Sequence, residues 1–176
     1  MALEVNAMQW EHNGYLIRPA EAADAENYFH ALFDPLDAEV AYLTGSQTSY
    51  PKETVVPFFL RCVADESRYD FLIIAPQGKI IGESVINEYD PASNSANYRI
   101  AISGSEHRDK GLGTWAVRCA CAFSFEQLHL SRLTLEVLDC NPRARHVYEK
   151  CGFAPFSREE DGLLMEMTHQ MWLELR

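Results

Sequence analysis

The sequence predicts one α/β domain in which a single mixed sheet is flanked by helices. Three observations carry this: short β-forming runs recur along the chain, longer runs between them have helical spacing, and the last two β-runs flank a Gly-containing turn. At 176 residues and 47% hydrophobic composition, the chain suits one domain with one core and a cleft. We take that domain to span residues 1–176, with a first strand and helices over about 15–66, a central part over about 69–153 and a closing hairpin over about 153–169.

Tyr15-Leu16-Ile17-Arg18 reads as the first strand, followed by Pro19 and an acidic helix over about 22–33. Residues 34–49 read as loop. A second helix is expected over about 51–64, where Val55, Val56, Phe59, Leu60 and Val63 make an apolar face. Pro57 should kink or break it, because proline has no amide hydrogen and crowds the carbonyl one turn back. Two adjacent antiparallel strands are expected at 69–74 and 79–87, around the turn Ala75-Pro76-Gln77-Gly78-Lys79. Another turn at 91–95 precedes a strand over 97–102. At the end of the chain, runs at 153–157 and 163–168 flank Glu159-Glu160-Asp161-Gly162, a hairpin signal.

The most informative stretch is Arg108-Asp109-Lys110-Gly111-Leu112-Gly113-Thr114, between the strand ending at Ile102 and a long apolar helix-like run over 112–128. A glycine-rich turn there lets backbone N–H groups approach an anion, and the positive end of the helix dipole adds to the attraction. Two glycines also occur in ordinary strand-to-helix turns. About twenty residues on, the short strand 133–137 leads into Asn141-Pro142-Arg143-Ala144-Arg145-His146-Val147-Tyr148-Glu149-Lys150-Cys151-Gly152-Phe153. Asn141 is a good N-cap, Pro142 fits the first helical position and Gly152 fits a left-handed C-terminal residue. Ala144, Val147, Tyr148 and Cys151 then share one face, which directs Tyr148 inward.

Strand, Arg-x-x-Gly-x-Gly, helix, strand and Asn-x-x-Ala-x-x-x-Tyr-x-x-x-Gly-Phe, in this order, resemble the GNAT superfamily of N-acetyltransferases. The resemblance covers about residues 97–156 and is similar in detail to the ribosomal-protein N-terminal and polyamine or small-amine branch. It implies the GNAT fold: a central, mostly antiparallel sheet of six to seven strands, splayed where acetyl-CoA enters, with about four helices. It also implies acetyl-CoA as cosubstrate, held by backbone groups of Ile100, Ala101 and Ile102, by the turn from Arg108, Asp109, Lys110, Gly111, Leu112 and Gly113 to Thr114, and by Asn141 and Arg145. Tyr148 is then the acid that protonates the leaving thiolate. Glu83 is the candidate base, on a strand face expected to include Ile81 and Val85, with Glu88, Tyr98 and His107 as alternatives. Many relatives carry an acid where this sequence has Asn97, so the base departs from the family pattern. The resemblance also implies an acceptor pocket formed by about residues 29–59 and 157–168. There Asp34, Asp37, Glu39, Tyr42, Tyr50 and Glu53 either clamp a cationic amine or form a solvated rim.

Composition bounds the rest. A net charge of −11 argues against nucleic acid and suits a cationic acceptor, a small-molecule amine or a peptide N-terminus. No apolar run of about 18 residues is present, and residues 1–10 lack signal-peptide features, so no membrane partner and a cytoplasmic location are expected. Five cysteines (Cys62, Cys119, Cys121, Cys140, Cys151) form no Cys-x-x-Cys pair and the histidines no ligand spacing, so buried free thiols and no metal are expected. Cys119 and Cys121, two apart on a helix, should point to different sides. The function implied is an N-acetyltransferase that transfers directly within a ternary complex, with a homodimer left open. Two alternatives stand beside it: an acyl-CoA-binding sensor of the same fold, and a dinucleotide-binding domain using Gly111-x-Gly113-x-x-Ala116 with Glu136.

Overall fold

A computed structural model describes residues 8–176; residues 1–7, part of the 1–10 stretch read above, lie outside the described residues. The strands are β1 (Trp10–His12), β2 (Tyr15–Pro19), β3 (Tyr69–Ile74), β4 (Ile80–Asp90), β5 (Ser95–Ile102), β6 (Arg132–Leu138), β7 (Ala154–Arg158) and β8 (Gly162–Thr168). The helices are α1 (Ala25–Leu32), α2 (Ala38–Leu43), α3 (Lys52–Val63), α4 (Leu112–Ala122), α5 (Pro142–Lys150) and α6 (His169–Glu174). All eight strands form one sheet in the order β1-β2-β3-β4-β5-β6-β8-β7, and every neighbouring pair is antiparallel except β5–β6.

Both faces of the sheet are covered. On one, α4 and α5 pack Ala116, Val117 and Tyr148 against Ile73, Leu133 and Met165; on the other, α1 and α3 pack Tyr28, Phe29 and Phe59 against Leu72 and Ile74. Burial on two sides explains why β3 reads as the continuous apolar run Phe71-Leu72-Ile73-Ile74 rather than as an alternation. The register of β4 slips opposite Ile73 and Ile74, which pair with Gly82 and Ile80. This bulge sends Ile80 to the α1–α3 side and Ile81 to the other. Ile81 therefore does not share the face of Glu83 as expected; Ile80 does.

The sheet and its flanking helices match the expected fold class, with more elements than the expected six to seven strands and four helices. Asn13 (φ 49°) and Gly14 (φ 80°) make the two-residue turn that pairs β1 with β2. Within the segment read as loop, Asp37 caps α2 by accepting from the amides of Glu39 (2.9 Å) and Val40 (3.3 Å). Thr168 caps α6 through the Met171 amide (3.2 Å). Contrary to expectation α3 runs through Pro57, which lies in its exposed second turn and forfeits one backbone bond there. The helical run beginning at α4 continues to Gln127 as a π turn, Phe123–Gln127, closed by the Leu128 amide on the Phe123 carbonyl (3.1 Å).

One local feature positions everything that follows. β5 and β6 pair only through Ser95↔Arg132, Ala96↔Leu133 and Asn97↔Thr134. Beyond these rungs β5 stays with β4 as far as Gly82↔Ile102, while β6 stays with β8 as far as Leu138↔Gly162. The two strands thus separate toward their C-terminal ends.

Candidate active site

The gap between β5 and β6 opens into a cleft of about 1000 Å³ whose other walls are α1, α2, α3 and α5. Along β5 from Tyr98 onward the backbone has a partner only on the β4 side, so polar groups facing the gap are available to a ligand lying there like an added strand. Of the residues expected from sequence, Glu83, Ile100, Ala101, Asn141 and Tyr148 all line this cleft.

Tyr148 is placed by the local structure of α5. Asn141 caps the helix by accepting from the Ala144 amide (3.0 Å), and Pro142 occupies the first turn. At the other end the amides of Gly152 (φ 99°) and Phe153 bond back to the carbonyls of Glu149 and Tyr148, both at 3.0 Å, a Schellman closure that needs the left-handed glycine. Tyr148 is 5% exposed, its ring tilted on that of Phe153 at 5.9 Å. Burial, with Cys151 nearby, pushes its phenol well above the ordinary tyrosine value, so it is protonated across the neutral range.

Glu83 faces the cleft from β4. The Tyr28 hydroxyl of α1 donates to Glu83 Oε2 at 2.6 Å, and Arg99 Nη2 of β5 lies 3.4 Å from Oε1. Burial, together with the Glu83 carboxylate beside it, drives the Tyr28 phenol far upward, so Tyr28 stays a donor. The alternatives divide. Tyr98, 1% exposed, lines the cleft and bonds with Ser84 (3.1 Å), and burial raises its phenol well above the ordinary value. Glu88 is at the cleft's outer rim with φ 53°. His107 lies outside the cleft lining, in contact with Tyr15 through Nδ1 at 3.3 Å. Asn97 donates to Asn87 Oδ1 at 3.2 Å.

The glycine-rich turn has the geometry expected of it: Gly111 (φ 77°) is the left-handed residue before α4, and Asp109 is also left-handed (φ 58°). Its arginine, however, is already engaged. Arg108 is 12% exposed and donates through Nη2 to Asp37 Oδ2 (2.8 Å) and through Nη1 to Glu39 Oε2. Arg145, expected at the cofactor, instead pairs along its own helix with Glu149 (2.8 Å) and does not line the cleft. Ile102 and the whole turn from Arg108, Asp109, Lys110, Gly111, Leu112 and Gly113 to Thr114 also fall outside the cleft's lining.

Of the two readings of the acids and tyrosines in 34–53, the ligand clamp is not formed as a group. Asp34 contacts His30 (3.3 Å), Asp37 and Glu39 hold arginines, Tyr42 is 68% exposed and Glu53 faces solvent; Tyr50 alone of that group lines the cleft. The carboxylates that do line it are Glu83, Glu88 and Glu136. Tyr28 and Arg99 are the functional candidates that sequence reasoning missed, because neither has a local signal linking it to Glu83. Four cysteines are buried, Cys119 and Cys121 both among them since α4 is enclosed on most sides, whereas Cys140 is exposed. Burial pushes the thiol of Cys119 up to about 12 and raises Cys151 too, which disfavours a thiolate at either. Among the described residues no group of three His, Cys, Asp or Glu side chains gathers at metal-holding distance, and no helix is long and apolar enough to cross a membrane.

A family model described as an acetyltransferase (GNAT) domain matches residues 15–154, from β2 to the start of β7. The chain belongs to this family. This GNAT domain is 33% identical over 104 residues to the spermidine N(1)-acetyltransferase of Vibrio cholerae serotype O1, covering 59% of the chain and 57% of that relative. It is 33% identical over 92 residues to the spermidine N(1)-acetyltransferase of Escherichia coli K12, covering 52% of the chain and 48% of that relative. The aligned stretches thus span about half the length of these curated relatives. A crystal structure of the Vibrio cholerae spermidine N-acetyltransferase in complex with CoA and spermine superimposes with a TM-score of 0.79 at 23% identity, covering 92% of this chain and 99% of that one. A dodecameric structure of the same enzyme gives a TM-score of 0.73 at 22% identity, covering 93% and 99%. These likenesses establish the fold. A mostly antiparallel sheet also removes the dinucleotide-binding alternative, which needs parallel strands on both sides of the glycine loop.

Proposed function

We propose that this GNAT domain transfers an acetyl group from acetyl-CoA to a primary amine, directly and within a ternary complex. The observation that supports this best is the splay of β5 from β6 with a buried, protonated Tyr148 on one wall and Glu83 on another. Bound acetyl-CoA would supply the activated thioester. The backbone from Gly111 to Thr114 and the N-terminus of α4 hold its diphosphate, the free edge of Ile100, Ala101 and Ile102 pairs with its arm, and Asn141 holds the far side. Glu83 takes a proton from the ammonium, directly or through water, and the neutral amine attacks the thioester carbonyl. As the N–C bond forms and the C–S bond breaks, Tyr148 gives its proton to the departing sulfur, the proton still carried by the acylated nitrogen passes through water to the Tyr148 oxygen and restores the phenol, and Glu83 returns its proton to solvent.

The acceptor classes are those suggested from sequence: a polyamine, as in the names of the two relatives, a small-molecule amine, or a protein N-terminus. A homodimer and a cytoplasmic location remain proposals; the dodecamer belongs to the Vibrio cholerae enzyme. Thiol release from acetyl-CoA, measured over polyamines, aminoglycosides, amino acids and basic N-terminal peptides, tests the activity and identifies the acceptor. Saturable acetyl-CoA binding without release on any amine would favour the sensor reading instead.

A further inference from the structure

Resting on the acetyl-CoA reading above, we infer that α2 is a strap in which the Glu39 carboxylate stands in for the cofactor's diphosphate, bridging Arg108 and Arg143 until acetyl-CoA displaces it. The two arginines come from opposite sides of the splay, Arg108 from the turn after β5 and Arg143 from the first turn of α5, after β6. Glu39 offers one oxygen to each: Oε2 accepts from Arg108 Nη1, and Oε1 from Arg143 Nη2 at 2.7 Å. Asp37 secures the same end of the strap by accepting from Arg108 Nη2 (2.8 Å) and the Gly104 amide (3.0 Å). The far end is tied beside the β6–α5 turn, where Asn141 Nδ2 donates to the Leu43 carbonyl (3.5 Å) and a Cβ on Gly45 would lie 3.3 Å from Leu138. The segment therefore crosses the mouth of the gap.

Guanidinium forks that donate to a carboxylate donate to phosphate in the same geometry. A single carboxylate shared by two arginines is outmatched by a diphosphate that brings two charges to the same pair and adds the amides of the glycine turn. Glu39 and Arg143 are about half exposed, so an incoming anion can reach the bridge. The strap also lines the acceptor side of the cleft through Val40, Ala41 and Leu43.

Coenzyme A and acetyl-pantetheine, which lacks the diphosphate, are titrated into the wild-type protein and into Glu39→Gln. Removing the competing charge should tighten coenzyme A binding about two- to fivefold at low ionic strength, the range an exposed ion pair supports, with the gain shrinking as salt rises. Acetyl-pantetheine should bind both proteins equally. Arg143→Gln should weaken coenzyme A and leave acetyl-pantetheine unchanged. In the wild-type protein, saturating coenzyme A should speed amide exchange over residues 38–46. Unchanged or weaker coenzyme A binding in Glu39→Gln, or slower exchange across the strap, overturns the strap alone. Failure of the wild-type protein to bind either compound overturns the acetyl-CoA reading, and the strap with it.

Discussion

Replacing Tyr148 by phenylalanine removes one oxygen atom and leaves the ring where it packs. The side chain is 5% exposed and its ring contact with Phe153 at 5.9 Å does not involve the hydroxyl. The loss of one hydroxyl should therefore change stability by no more than about 1 kcal/mol, or roughly 2–4 °C in Tm for a chain of this size. Catalysis should suffer far more. General acid catalysis is worth about 10²-fold or more, so kcat should fall by at least that factor, about 2.7 kcal/mol on the barrier, while the KM for acetyl-CoA stays within about twofold. The pH dependence follows from the raised phenol: its folded-state pKa lies above its unfolded value, so the protonated form, and the stability tied to it, is fully present below about pH 10 and is lost only as pH rises beyond. Wild-type kcat should show no alkaline decline from this group below that point. The assay is thiol release with the best amine, run beside a thermal melt of both proteins. A loss in kcat under about tenfold, or an equal loss of acetyl-CoA affinity with a large drop in Tm, would refute the acid role.

Four further outcomes are expected. Glu83→Gln should lower kcat at least tenfold with acetyl-CoA binding unchanged by calorimetry, and Tyr28→Phe should lower kcat less, because it frees the carboxylate's rotamer without removing it. Gly82→Ala would drive a Cβ into the backbone carbonyl oxygen of Ala101, so β4 and β5 must shift apart; a loss of about 1–3 kcal/mol by denaturant titration is expected. For Asp37, burial opposes ionisation, but the amides of Gly104, Val40 and Glu39 and the Arg108 guanidinium outweigh it and hold the carboxyl below its ordinary value. The stability it contributes is present above the ordinary carboxylate pKa of about 3.9 and is lost as pH falls through the lowered value, so amide exchange over α2 should rise at the acid end of a pH series with protection in the core β-strands retained.

How much was legible in the sequence depended on whether the signal was local. Asn141, Pro142, Tyr148 and Gly152 are specified within one short helix, and each takes its expected place in that helix because caps and helical periodicity act over a few residues. The splay was legible only through the resemblance, since nothing in 95–102 or 132–138 states where pairing stops. β1 has a local cue in the hairpin pair Asn13-Gly14, and α2 has one in Asp37, obscured by the polar residues around it. Tyr28 and Glu83 are 55 positions apart and meet only through the packing of α1 on the sheet. The same holds for Glu39 with Arg108 and Arg143, which is why the acids of 34–53 read as a ligand clamp when several of them serve as internal counter-ions.

The three rungs between β5 and β6 are the seam between a five-stranded and a three-stranded half-sheet, as few as join the edge hairpin β1–β2 and fewer than join any other pair. Cooperative opening follows weak boundaries, so separation of the two halves should run through this seam. A ligand whose arm runs along the free edge of β5 lengthens that join by adding backbone-like partners where the protein supplies none. Its binding free energy is then also mechanical reinforcement, growing with concentration as ligand linkage requires. On the acetyl-CoA proposal the cosubstrate would act as a transient ninth strand that each turnover removes, so the domain would be stiffest just before chemistry and most pliant just after release.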